Sequence, residues 1–194
     1  MATFAGVGCS SNRNPREAGE EAALDALAAM GAGFPDFLFV FATVGYNQLA
    51  LLSSIRRAVP GVPLSGCSGE GIITHSLISE TNFTVCVMAI QSDDLTFKNV
   101  KITDISGRVA NAGTSLANEI QPFLRDDTIG CFLFVDGLVI DFDPFQAAFE
   151  KALQWDRRLL LFGGLAADNW VSKRTYQYHN DEVLSEAISC VVMS

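Results

Sequence analysis

A strand that is apolar at every position must be covered on both faces, and this chain carries two. Phe37–Ala42 lies in the run DFLFVFA, and Cys131–Val135 in IGCFLFV. Strands of this kind sit inside sheets flanked by helices or by a second sheet. The bulk composition agrees. Of 194 residues, 49% are hydrophobic and 18% charged, which supports a sizeable core and argues against disorder. Fourteen Phe are gathered mostly in short apolar runs. The net charge of -9 disfavours a nucleic-acid backbone or an anionic membrane as partner, since both need clustered Lys and Arg. No stretch reaches the roughly 18 apolar residues of a membrane span. Met1-Ala-Thr-Phe-Ala5 lacks the charged and apolar segments of a secretory signal. Five cysteines without a CxxC pair read as free thiols in a reducing, cytoplasmic setting, mostly as small buried hydrophobes.

The order of elements follows from periodicity and punctuation. Thr3–Cys9 alternates as a strand. Asn14-Pro15 opens a helix that Gly31 stops, with Ala23, Leu24, Leu27 and Met30 at helical spacing. Asp36–Ala42 is a strand. Tyr46–Val59 is a helix with Leu49, Leu52, Ile55 and Val59 on one face. Val62–Cys67 is a strand leading into a glycine turn. Asn82–Ile90 and Leu95–Thr103, joined by Gln91–Asp94, predict a hairpin. Ser106–Leu124 is a helix and Ile129–Val135 a strand. Asp143-Pro144 predicts a helix cap before Phe145–Trp155. Leu159–Phe162, Arg174–His179 and Ala187–Met193 read as strands.

Strands alternating with helices predict parallel pairing, and the hairpin adds antiparallel pairing. The expected fold is therefore α/β, with mixed sheets flanked by helices. Fragments recur along the chain: Phe37–Val40 with Phe132–Val135, Ser65–Cys67 with Phe162–Gly164, and Val85–Met88 with Ser189–Met193. We read residues 1–194 as a single domain of two pseudo-repeated β-α-β-α-β-β halves, about 1–93 and 94–194. Ala187–Ser194 ends on an apolar run, so we expect a further C-terminal region downstream.

Two glycine-rich segments occupy matching places. The first is Gly66-Cys67-Ser68-Gly69-Glu70-Gly71, after a strand. Glycines let several N–H groups approach one acceptor, Ser68 adds a hydroxyl and Glu70 a carboxylate. It is neither GxGxxG nor a P-loop, and no Lys follows, which argues against nucleotide phosphates. The second is Gly163-Gly164-Leu165-Ala166-Ala167-Asp168-Asn169. Asp168 and Asn169 offer groups for an ammonium or an amide, although an Asx turn explains Asp168 equally well. Approximate two-fold symmetry would bring the segments together into one pocket.

These residues resemble the FIST domain family, in its N-terminal region. The family's GCS-x-x-G-type segment is matched by Gly66–Ile72 and its GGLAGD-type segment by Gly163–Asp168, with Ala167 in place of a glycine. Gly6-Val-Gly-Cys-Ser10, the Ala-rich first helix and the Phe-rich second strand are also similar. The resemblance implies a sensory module of signalling proteins that binds small ligands such as amino acids, without catalysis. It also implies a C-terminal FIST region downstream that helps close the pocket.

The reading that follows is a ligand-binding sensory domain holding a small polar, amino-acid-like metabolite through Cys67, Ser68, Gly69, Glu70, Gly163, Gly164, Asp168 and Asn169. A downstream signalling domain or protein would read the result. No cofactor, metal, nucleic acid or membrane is expected. Two rivals differ in class. A thiol-dependent hydrolase or transferase would use Cys67 with a base, either His75 or His179. A protein-interaction scaffold would expose a large apolar patch. The acidic loop Asp136-Gly137 and Asp141–Asp143 could meet a cation, but turn and cap roles account for it. Thr43 and Tyr46 could line the same edge, with Tyr46 packing at its helix start.

Overall fold

The computed structural model describes residues 2–31 and 33–194. In chain order the elements are β1 (Thr3–Ser10), α1 (Pro15–Met30), β2 (Phe37–Ala42), α2 (Gln48–Ala58), β3 (Leu64–Ser68), β4 (Ile72–Ile73), β5 (Ile78–Ser79), β6 (Val85–Ser92), β7 (Phe97–Ile102), α3 (Val109–Ile120), β8 (Gly130–Asp136), α4 (Phe142–Ala152), β9 (Leu160–Ala166), β10 (Gln177–His179), β11 (Glu182–Leu184) and β12 (Ile188–Met193). A 3-10 turn, Gln121–Phe123, follows α3.

The fold is mixed α/β. One sheet has the order β1-β6-β2-β3-β10-β11 and a second the order β7-β12-β8-β9, while β4 and β5 form a small ribbon. Helices α1 and α2 cover the first sheet, where Ala18, Ala22, Ala26, Leu51 and Ile55 pack on Leu38, Val40, Val85 and Val87. Helices α3 and α4 cover the second, where Leu116, Ile120, Phe145 and Phe149 meet Cys131, Leu133 and Val192. The remaining faces of the sheets meet through Phe37, Phe39, Phe134 and Val191. The wholly apolar strands are thus explained: one face of each meets helices and the other meets a sheet.

The four strands β1-β6-β2-β3 pair antiparallel, antiparallel, parallel, and β7-β12-β8-β9 repeat that sequence of senses. Register aligns them more finely than residue resemblance. Gly66 pairs with Val40, and Gly163 with Leu133. Val40 therefore corresponds to Leu133, two residues off the match of Phe37–Val40 with Phe132–Val135. A shift of two preserves which face each side chain takes.

The expected hairpin of Asn82–Ile90 and Leu95–Thr103 does not form. Strand β6 pairs with β1 and β2, and β7 with β12 in the other sheet. The turn between them is the crossing from one sheet to the next. Leu49 is 66% exposed rather than inward, because α2 starts at the Asn47 cap and buries Leu51, Leu52 and Ile55. Asp143 does not cap α4, which starts at Phe142 after Asp141. Glu182–Leu184, to which the sequence reading assigns no element, forms β11 on β10.

Candidate functional site

Both glycine segments begin inside strands rather than in turns. Gly66 has φ +151 and Gly163 φ +128. A Cβ on Gly66 would lie 1.8 Å from the Val40 carbonyl oxygen, and one on Gly163 would lie 1.9 Å from that of Leu133. Each parallel strand can run past its neighbour at that point only with glycine.

Ser68 joins the two segments. Its Oγ donates to the Ala167 carbonyl at 2.7 Å and accepts the Tyr176 N–H at 3.0 Å. Its backbone oxygen accepts the Ala167 N–H at 3.0 Å, its own N–H reaches the Tyr176 carbonyl at 2.8 Å, and the Gly69 N–H bonds the Ala42 carbonyl at 3.0 Å. With every group paired and the residue buried, Ser68 fixes the junction.

Asp168 holds the loop that follows. Its carboxylate accepts the N–H groups of Ser172 at 2.9 Å, Lys173 at 2.6 Å and Arg174 at 2.9 Å. Burial pushes this carboxyl up, but the N–H groups of Arg174, Lys173, Ser172 and Val171 outweigh it, and its pKa lies below the usual value. The loop needs this support, since Asn169, Trp170 and Ser172 all take positive φ without being glycine.

Of the eight residues expected at the site, Ser68 and Asp168 hold the junction and its loop, and five others line two separate spaces. Outside lies a pocket of about 580 Å³ lined by Glu70, Gly71, Glu80, Asn169 and Trp170, with Ile73 and Ile78 at its rim. Glu70 Oε1 accepts the Trp170 N–H at 3.3 Å, while Glu70 Oε2 is buried without a hydrogen-bond partner. Asn169 donates to Asn82 Oδ1. Trp170 is 87% exposed. Inside, between the sheets, lies a cavity of about 620 Å³ that receives Cys67, Gly163 and Gly164. Gly69 lines neither space.

The sequence pointed to Glu70 and Asn169 but missed Glu80 and Trp170. Trp170 directly follows Asp168-Asn169, yet nothing in the sequence marks it as exposed.

Burial alone raises the Cys67 thiol to about 12, so at neutral pH it is protonated. Strand register sets Cys67 opposite Gln177 and His179 opposite Ser65. His179 Nδ1 lies 3.4 Å from Ser189 Oγ, which lies 2.7 Å from Ser65 Oγ. Burial and then the Lys101 charge depress the His179 pKa, against a smaller opposing effect of Glu182. His75 is exposed on its loop. Asp136 takes the turn role: it accepts from Leu138 at 2.9 Å and Glu186 at 2.8 Å. Thr43 Oγ1 likewise accepts the Thr84 N–H at 3.0 Å, and the Tyr46 hydroxyl donates to the Asn12 carbonyl at 2.9 Å. Among the described residues no group of three His, Cys, Asp or Glu could hold a metal ion, and no helix is long and apolar enough to cross a membrane.

The FIST N domain family model matches residues 36–194. No curated protein matches the chain. Among solved structures, a cyanuric acid hydrolase from A. caulinodans aligns with all of this chain (100%) and 68% of its own, at 11% identity and a TM-score of 0.42. A likeness that weak carries no argument about chemistry.

Proposed function

The chain belongs to the FIST family of sensory modules, and on that premise we propose that it binds a small, amino-acid-like metabolite in the outer pocket, through the metabolite's cationic amine. The observation that carries this reading is Glu70 on the pocket wall: its Oε2 is buried without a partner, so turning that oxygen into the pocket toward a donor gains a hydrogen bond it now lacks. Such an atom is costly until something donates to it. An ammonium donates three N–H bonds, and Glu80 and the exposed Trp170 ring beside it supply further negative potential and a cation–π face. Asp168 keeps the loop in shape for this purpose instead of touching the ligand.

Filling the pocket would pull the Trp170 loop onto the β4–β5 ribbon, and a downstream signalling domain or protein would read that change. The matching strand orders support descent of the two halves from one duplicated unit. The thiol-enzyme reading draws no support from Cys67, whose thiol is protonated and faces an apolar space.

The test is a thermal-shift and calorimetric screen of amino acids, small amines and small carboxylates. Ligands with a free amine should stabilise the chain by about 2.7 kcal/mol at one hundred times Kd. Carboxylates lacking an amine should not. Glu70→Gln should abolish the shift while leaving the unliganded melting temperature unchanged or raised, because the carboxylate oxygen it replaces has no partner. Amine binding that survives Glu70→Gln, or the absence of any amine ligand, rejects the reading.

A further inference from the structure

We infer that the cavity between the sheets is a second binding site, built for an unbranched alkyl or acyl chain. The two sheets close together on one side. There Ser65 Oγ and Ser189 Oγ meet at 2.7 Å. On the other side they part, leaving about 620 Å³ that reaches Thr3 and Ala5 on β1 and Gly163 to Leu165 on β9. The volume falls in the range of small-molecule sites.

The chemistry of the lining selects the occupant. Apart from Thr3, no side chain on the cavity wall carries an oxygen or nitrogen. Water in such a space finds too few partners, so an apolar guest displaces it readily. Shape narrows the choice. Packed sheets lie about 10 Å apart, and that gap already holds the side chains of both. Phe39 and Phe134 touch across the sheets with ring centroids 6.0 Å apart, so the free space lies beside them, toward β1 and β9. A helix about 10 Å across would fill that volume in roughly one and a half turns, too little to dock on. A single hydrocarbon chain can lie along it. Met88 and Met193, both flexible thioethers, can adjust to its length. With no charge on the wall, a polar head group would remain at the mouth between β1 and β9. This site shares the junction with the outer pocket but none of its carboxylates, so it stands or falls independently of the amine reading.

Gly164 offers the test. A Cβ there meets nothing within 4 Å, and its φ is not in the left-handed region. A side chain can therefore be grown into the cavity without disturbing the strand. The titrants are hexanoate, octanoate, decanoate and dodecanoate with the matching alcohols, added to the 194-residue chain in calorimetry and in displacement of an environment-sensitive fluorescent fatty acid. A decanoylated peptide beside free decanoate separates a tethered chain from a free one. The expected result is saturable binding of one ligand per chain. Affinity should rise about four-fold per methylene, for acids and alcohols alike, until the cavity is full. Gly164→Leu should weaken binding by roughly ten-fold or more with the melting temperature retained, and Gly164→Ser should leave it nearly unchanged. Binding by either the free or the tethered chain supports the proposal. Binding that ignores chain length, or that Gly164→Leu leaves intact, overturns it. So does a chain that elutes as a dimer and excludes every titrant, since a second copy would then fill the space.

Discussion

Strands β3 and β9 occupy the same place in the two sheets, yet they live in different surroundings. Each pairs in parallel with its neighbour, and each carries a positive-φ glycine against that neighbour's carbonyl. Strand β3 is buried at all five positions, and β10 pairs with its other edge. Strand β9 is exposed at Leu160, Phe162, Gly163, Gly164 and Leu165, and among the described residues its outer edge has no partner. Shared backbone geometry has not produced a shared environment. The difference comes from β10 and β11, which the second half of the sequence contributes to the first half's sheet. Where Ser68 knots the junction, register puts Leu165 in the second half, 52% exposed.

One methyl group added to each strand separates the two environments most strongly. Gly66→Ala forces a Cβ into the Val40 carbonyl while partners on both sides hold the strand, and should cost about 4 kcal/mol or prevent folding. Gly163→Ala meets the same clash on a strand with one edge free to move, and should cost about half as much. Urea unfolding of both variants decides, and equal losses would mean that the edge is as tightly held as the interior. Ser68→Ala comes next. It strips the Ala167 carbonyl and the Tyr176 N–H of one partner in a buried setting, for about 2 kcal/mol. Leu165→Ala, at the corresponding position, should cost well under half of that.

The sequence announced the layers because wholly apolar runs such as Phe37–Ala42 admit few arrangements. It announced α1 because Asn14, Pro15 and Gly31 each perform a local task, with Asn14 accepting from Arg16 and Gly31 at φ 65. It misplaced β6 and β7 because a four-residue turn between strands has the same local chemistry whether the chain folds back or crosses between sheets. Only pairing with distant β1 and β12 decides. The site divided along a similar line. Glycines at Gly66 and Gly163 mark positions where a backbone passes closely, which is a local signature. That Cys67 and Glu70, three residues apart, face different spaces follows from the strand ending at Ser68. That Trp170 stands exposed follows from a loop held by Asp168.

Asp168 tests the loop half of the comparison with a pH axis. Its folded-state pKa lies below the ordinary value, so it contributes stability above the unfolded value near 4, which is lost as pH falls through the folded value. Asp168→Asn keeps the shape and removes the charge, and should cost about 1 to 2 kcal/mol at pH 7. The gap from the parent should narrow steadily below about pH 4, as the parent carboxyl takes up its proton. A gap constant across pH, read from chemical denaturation, would mean that the N–H groups of Ser172, Lys173 and Arg174 do not depend on the charge.

The smallest expected effect tests the exposed edge itself. Leu160 on β9 is 38% exposed, whereas Leu64, at the start of β3, is fully buried. Lys at 160 can lay its methylenes along the sheet and keep its ammonium in water, so Leu160→Lys should change stability by no more than about 0.5 kcal/mol. Leu64→Lys buries a charge among Leu38, Val40 and Tyr178 and should unfold the chain. The same Leu160→Lys substitution places a charge on an unpaired strand edge, a common guard against edge-to-edge association. If β9 is a free edge in solution, light scattering should report less association in Leu160→Lys than in the parent. If something already covers that edge, the lysine should instead destabilise the chain by more than about 1 kcal/mol, and the contrast with β3 would shrink accordingly.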